Sequence, residues 1–290
     1  MLVNLKEILE DTRKKHYAVG AFNTPTLESL RAVIEVAEDK QVPVIISHAE
    51  VHEELVPIEI IGPIMVQLAK EAKVKVCVHL DHGKSIDMIK RAMKIGFTSI
   101  MYDGSEYSYE SNIKQTKRVV ELVHPYNISV EAELGSMLGA EGVANGEIDL
   151  NDKKMLEKLY TNPAQAKEFV ERTGIDALAI AFGTVHGIYT REPRLDIERV
   201  AQIREQVDVP LVMHGGSGVS DEEVQKAIEN GISKINYYTY MALAGGEDIR
   251  QLVQYQEKNL LFHDIAQRAK EAMKLDVSKT IGIFENKKSE

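Results

Sequence analysis

Short apolar runs recur along the chain, each followed by a longer stretch whose apolar positions return every three to four residues. The runs occupy residues 18–23 (AVGAFN), 42–47 (VPVIIS), 74–80 (VKVCVHL), 99–102 (SIMY), 128–134 (ISVEAEL), 177–182 (ALAIAF), 210–213 (PLVM) and 234–237 (KINY). Several are continuous rather than alternating, the mark of strands buried on both faces. Between them, residues 26–40, 86–95, 110–123, 163–173, 196–207 and 221–230 read as amphipathic helices. Ser85 is placed to cap one helix start, and Ser220-Asp221-Glu222-Glu223 reads as a capping box. Gly96 and Gly231 stand where two helices stop. Strands alternating with helices in this way predict an α/β fold, a single-domain (β/α)8 TIM barrel over residues 1–290. Residues 138–161 exceed the repeat as a long polar connection, which reads as an active-site lid loop. Residues 245–290 read as a C-terminal helical extension, with a helix near 261–274 that closes the barrel or reaches a neighbouring subunit. The alternative, an open doubly wound sheet, usually carries a glycine-rich fingerprint after its first strand, and Gly20-Ala21-Phe22-Asn23-Thr24-Pro25 does not fit one.

Composition narrows the function classes. With 44% hydrophobic and 28% charged residues, the chain is an ordinary globular protein, not a disordered, collagenous or coiled-coil one. Its 35 Lys+Arg against 45 Asp+Glu give a net charge of -10, which disfavours nucleic acid and anionic membranes as partners. A local site can still hold a small anion. The lone Cys77 excludes an intramolecular disulfide and a cysteine-based zinc cluster, and it suits a reducing compartment. The N-terminal stretch MLVNLKEILEDTRKK carries no signal-peptide apolar region, and no run approaches the ~20 residues of a membrane span. A cytoplasmic location is expected.

A barrel places its chemistry at the C-terminal ends of its strands. Polar residues stand at those points: Asn23, His48, Asp81-His82-Gly83, Asp103-Gly104-Ser105, Glu131 and Glu133, Thr184 and His186-Gly187, His214-Gly215-Gly216-Ser217-Gly218, then Asn236 and Thr239. His82, His186 and His214 each follow an apolar strand and precede Gly, so they converge on one mouth. Three imidazoles with an open fourth position make a catalytic zinc arrangement, also suited to Fe2+ or Co2+. Asp103 and Glu133 read either as alternate or supporting ligands, or as carboxylates pairing with loop amides. Asp81 suits proton transfer beside the metal, or a structural salt bridge. The glycines after His214 form an anion nest with Ser217, bordered by Asn236 and Thr239, where a barrel usually binds phosphate. Lys75 and Lys234 fall at strand starts, away from that face, so no Schiff-base lysine is expected.

Taken together these segments resemble the class II, metal-dependent ketose-bisphosphate aldolases of the fructose and tagatose type. The resemblance rests on Val78-His79-Leu80-Asp81-His82-Gly83 with residues 96–105 (GFTSIMYDGS), and on Val130-Glu131-Ala132-Glu133-Leu134-Gly135. Gly183-Thr184-Val185-His186-Gly187, the glycine run after His214, and Lys234-Ile235-Asn236 with Thr239 fall in the same order. It implies a TIM barrel and reversible aldol cleavage of a ketose 1-phosphate or 1,6-bisphosphate to dihydroxyacetone phosphate and an aldehyde. It further implies Zn2+, or another divalent metal, on His82, His186 and His214, with Asp103 and Glu133 as positions for a displaced metal. Asp81 becomes the acid at the aldehyde oxygen, and Gly187, Gly215, Ser217, Asn236 and Thr239 the phosphate site. A monovalent cation near the phosphate and a homodimer or homotetramer are also implied. Glu141 keeps an acidic position tied to proton exchange at the ketose carbon, although Gly142 replaces the Asp that usually follows. The family's Asp-Pro-Arg is absent at residues 259–263 (NLLFH), which argues against a second phosphate. Tyr237, Tyr238 and Tyr240 are bulkier than usual there. Two other readings are a metal-dependent sugar-phosphate isomerase or epimerase, and an inactive sugar-phosphate-binding barrel.

Overall fold

The strands close into a ring because each is apolar toward the helices and can be covered only from outside. The computed structural model describes residues 1–136, 138–139, 153–188, 193–255 and 259–287. The ring strands are β1 (Val19–Asn23), β2 (Val44–Ala49), β3 (Val76–Gly83), β4 (Ser99–Tyr102), β5 (Ser129–Leu134), β6 (Ala177–Ile180), β7 (Leu211–Met213) and β8 (Ile232–Tyr237). All pair in parallel with their sequence neighbours, and β8 pairs with β1 to complete the circle. The expected α/β barrel is therefore the observed one, with strand bounds shifted by a few residues. Two small additions were not foreseen. Leu2–Val3 adds to the edge of β3 at Val76 and Cys77, and Leu138–Gly139 pairs with Val185–His186 above the ring.

Among the described residues the longer helices are α1 (Leu27–Lys40), α2 (Ile58–Glu71), α3 (Ile86–Ile95), α4 (Tyr109–Val123), α5 (Pro163–Thr173), α6 (Ile197–Gln206), α7 (Asp221–Glu229), α8 (Thr239–Tyr255) and α9 (Phe262–Phe284), with short ones at Leu5–Leu9, Thr12–Lys15 and Lys153–Leu159. Ser85 caps α3 by accepting from the Met88 amide at 3.1 Å, and Gly96 ends that helix at φ 106°. At α7, Ser220 accepts from the Glu223 amide, the first half of the expected box. The reciprocal box forms instead at α1, between Thr26 and Ser29. The tail differs from its expected bounds. Helix α8 starts at Thr239 and runs through Gly245, and α9 extends to Phe284, ten residues beyond Lys274. Helix α9 packs on α1, where Lys270 and Lys274 grip Glu35 at 2.8 and 3.0 Å, and the Ala18 amide donates to the Phe284 carbonyl.

Strand alternation sorts the core into two parts. Outward residues such as Val78, Leu80, Ile100, Val130 and Ile180 join the helices in one large apolar cluster. Inward residues Val19, Ala21, Ile45, Cys77, Met101, Ala177, Ala179 and Val212 form a second cluster low in the barrel, plugged by Leu5, Ile8 and Leu9 of the short helix Leu5–Leu9. Burying one such side chain stabilises the fold by about 1.5–3 kcal/mol. Cys77 is fully buried in this plug, which pushes its thiol up to about 12. Higher in the barrel the same inward positions turn polar: Asn23, His79, Asp81, Glu131, Glu133, Lys234 and Asn236, all buried. No helix among the described residues is long and apolar enough to cross a membrane.

Candidate active site

The polar upper layer opens into a cavity of about 540 Å³ at the C-terminal mouth. Its walls include Asn23, Asp81, His82, Asp103, Glu133, Gly187, Gly215, Ser217, Asn236 and Thr239. These ten expected strand-end positions thus share one space. Glu141 lies outside the described residues. The backbone of His186 pairs with Gly139 immediately before Gly187.

Two histidines meet at the centre. Asp81 points inward by alternation, and its neighbour His82 would ordinarily point out toward the helices. Instead the register slips between Leu80 and Gly83, and His82 adopts φ 47°, a left-handed conformation that costs a non-glycine residue of order 1–3 kcal/mol. The distortion turns both side chains into the cavity. His82 Nδ1 lies 2.9 Å from Asp103 Oδ2, and His214 Nε2 lies 2.8 Å from Glu131 Oε1. With each of those nitrogens donating to its carboxylate, His82 Nε2 and His214 Nδ1 face each other at 3.0 Å. Two converging lone pairs repel unless a positive charge lies between them, either a proton or a metal ion. Carboxylates bonded to the far nitrogens of metal-binding imidazoles are the usual support of such a site.

The surrounding charges favour a cation. Asp81, His82 and His214 present ligand atoms within 4.8 Å of one another, and so do His82, Asp103 and Glu133. One Glu133 carboxylate oxygen is buried without a hydrogen-bond partner. Burial pushes Glu133 up to about 8. Burial opposes charge on His82, but Asp81, Asp103 and Glu133 outweigh it and raise the imidazolium to about 9. Orphaned carboxylate oxygen, facing imidazoles and a site that stabilises positive charge all fit a divalent metal.

Asp81 is held as a carboxylate by its neighbours. Asn23 Nδ2 donates to one oxygen at 2.9 Å and Asn236 Nδ2 to the other at 3.0 Å. Burial would raise its pKa, but the neighbouring His82, His214 and Lys234 hold it well below the usual carboxylate range. Asn236, expected at the phosphate site, makes its contacts here inside the barrel. Its amide serves Asp81, and its Oδ1 accepts from Lys234 Nζ at 2.8 Å. Lys234 corrects the expectation that it lies away from the site. It is fully buried inside the barrel, 2.8 Å from one oxygen of Glu131 and donating to the other at 3.1 Å. Alternation carries the signal that was missed: residues two apart on β8 share a face, so an inward Asn236 requires an inward Lys234. Lys75 precedes β3 and is exposed, as expected.

The side expected to take an anion is built around glycines. Gly215 adopts φ 66°, and a Cβ there would approach the Val185 carbonyl oxygen to 2.3 Å, so only glycine fits. The buried Ser217 hydroxyl accepts from the Tyr238 amide at 3.1 Å. Thr239 stands at the first turn of α8, whose N-terminal amides favour negative charge.

Comparison with known proteins agrees with this geometry. The family model of class II fructose-bisphosphate aldolase matches residues 3–289. The uncharacterized protein YdjI of Escherichia coli K12 is 42% identical over 244 residues, 84% of this chain and 85% of YdjI. The crystal structure of the YdjI aldolase superposes with a TM-score of 0.86 at 38% identity, covering 98% of this chain and 97% of that one. A putative fructose-1,6-biphosphate aldolase from Coccidioides immitis gives a TM-score of 0.82 at 30% identity over 98% and 96% of the two chains. Fructose-bisphosphate aldolase from Campylobacter jejuni shares the fold, with a TM-score of 0.80 at 22% identity over 99% and 97%. A match spanning nearly the whole length, over a barrel with paired histidines at its mouth, means that the chain belongs to the class II fructose-bisphosphate aldolase family.

Proposed function

We propose that this protein catalyses reversible aldol cleavage of a ketose 1-phosphate to dihydroxyacetone phosphate and an aldehyde. The observation that carries the reading is an ionised Asp81, fixed by Asn23 and Asn236, beside the facing His82 and His214 in a cavity that also holds the glycine anion site. In cleavage, Asp81 takes the proton of the hydroxyl on the carbon that becomes the aldehyde, and in condensation it returns that proton. His82, His214 and His186 would hold Zn2+, with Asp103 and Glu133 as further donors. A divalent metal supplies Lewis acidity that stabilises negative charge on the ketose carbonyl oxygen. Gly187, Gly215, Ser217 and Thr239 bind the phosphate, aided by a monovalent cation, and Asn236 orients Asp81. Glu141, in a lid of residues 138–161, moves the proton at the carbon next to the carbonyl. The enzyme works as a cytoplasmic homodimer or homotetramer, with contacts supplied by the helical extension over 245–290.

The test is condensation of dihydroxyacetone phosphate with a panel of aldehydes, with and without a chelator. New ketose phosphate that disappears on chelation and returns with Zn2+ is the expected result. Full activity after exhaustive chelation removes the metal from the reading. Sugar-phosphate interconversion without carbon–carbon bond cleavage replaces it with isomerase or epimerase chemistry.

A further inference from the structure

The cavity has two unlike sides. Around the ring, β2 and β3 stand opposite β6 and β7. Gly187 and the loop from Gly215 to Ser217 belong to the β6–β7 side, while Val51, His52 and Lys84 line the side of β2 and β3. Among the described residues lining the cavity, Lys84 is the one lysine or arginine, and its ammonium is already 2.9 Å from Glu106. Glu50 accepts from the Lys84 amide and the Ser85 hydroxyl, so among the described residues the one cation on this side is already paired and stands between two carboxylates.

His52 is the polar group there without a commitment. It is 8% exposed, lines the cavity, and packs its ring 5.0 Å from that of Tyr238. Its Nδ1 has no hydrogen-bond partner. Burial and then the neighbouring His48 lower its basicity against the pull of Asp81, which keeps the ring neutral near pH 7. A neutral imidazole offers one N–H and one lone pair, the complement of a hydroxyl group. A phosphate at this place would bring nearly two negative charges beside Asp81, Asp103 and Glu106, with no arginine among the described lining residues to receive it.

We propose that His52, set against Tyr238, is the specificity-determining residue of an aldehyde subsite that takes an uncharged hydroxylated aldehyde in preference to a phosphorylated one. The inference rests on the aldolase reading above. It is tested with the zinc-loaded enzyme by comparing D-glyceraldehyde with D-glyceraldehyde 3-phosphate in condensation with dihydroxyacetone phosphate. The variants are His52→Phe, which removes both polar atoms, and His52→Asn, which keeps a donor and an acceptor. Exchange of solvent deuterium into dihydroxyacetone phosphate alone is followed in parallel. The wild type is expected to have the higher kcat/KM with D-glyceraldehyde. His52→Phe should raise KM for D-glyceraldehyde roughly three- to tenfold, the loss of one net hydrogen bond, with a much smaller change in KM for dihydroxyacetone phosphate. His52→Asn should recover part of the loss. An unchanged aldehyde KM in both variants, or a wild-type preference for the phosphate ester, overturns the subsite. Absence of deuterium exchange in the wild type overturns the aldolase reading, and the subsite with it.

Discussion

At the residue scale, Asp81 and Lys234 illustrate how a buried charge takes its meaning from its partners. Asp81 accepts two asparagine hydrogen bonds and faces two imidazoles, so it stays ionised although it is buried. Replacing it by Asn keeps the shape and removes the proton acceptor. Turnover of Asp81→Asn is expected to fall by ~10²–10⁴ while metal content, measured by elemental analysis, is retained. Loss of the metal in that variant would instead make Asp81 a ligand. Lys234 balances Glu131, which in turn fixes His214. Lys234→Met leaves a carboxylate buried without its cation, so unfolding in denaturant should show a loss of about 3–5 kcal/mol. Adding Glu131→Gln should return part of that stability, and no recovery would argue against a charge effect. The type of each of these residues was legible in the sequence. Their pairing was not, because Glu131 and Lys234 are 103 residues apart and meet only across the barrel.

At the scale of elements, alternation explains most of the site and its failure explains the rest. Inward positions on β3, β5 and β8 supply His79 and Asp81, Glu131 and Glu133, Lys234 and Asn236. His82 joins them only through the slip in β3 and its left-handed backbone. Neighbouring side chains diverge in a regular strand, and here the slip lets Asp81 and His82 both line the cavity. The clasp between α1 and α9 gives an element-level test. Burial raises the Glu35 pKa, but Lys270 and Lys274 more than reverse it and hold it below its ordinary value. A depressed folded-state pKa contributes stability above the unfolded value of about 4.3, and that stability is lost as pH falls through the folded pKa. Glu35→Gln should lower the melting temperature at pH 7, by an amount equivalent to about 1 kcal/mol for a carboxylate that stays 31% exposed. The gap to wild type should close as pH drops below 4. A gap that widens on acidification would contradict the sign.

Across the whole molecule, ring closure brings residues from all parts of the sequence to one mouth and concentrates carboxylates around two histidines. The residues of such a site fit a divalent cation. Adding Zn2+ to metal-free protein should raise its melting temperature, and a concentration of 100 times Kd corresponds to about 2.7 kcal/mol. A melting temperature indifferent to Zn2+ and to chelator would mean that no ion is held by the folded state. The net charge of -10 is compatible with the proposed phosphate ligand because glycine amides and a helix N-terminus act locally.

The sequence by itself determined the barrel, its strand order and the family, because strand and helix periods are local and the glycine-flanked histidines stand in a fixed order. It also determined which residue types gather at the strand ends. Only the tertiary structure decided that Asn236 serves Asp81, that Lys234 pairs with Glu131, that α8 begins at Thr239, and that His52 and Tyr238 form one wall of the cavity. Those facts depend on strand register, a backbone distortion at His82 and contacts across the ring. None of these leaves a periodic trace, since each is settled by the balance of buried charges and space once the barrel has closed.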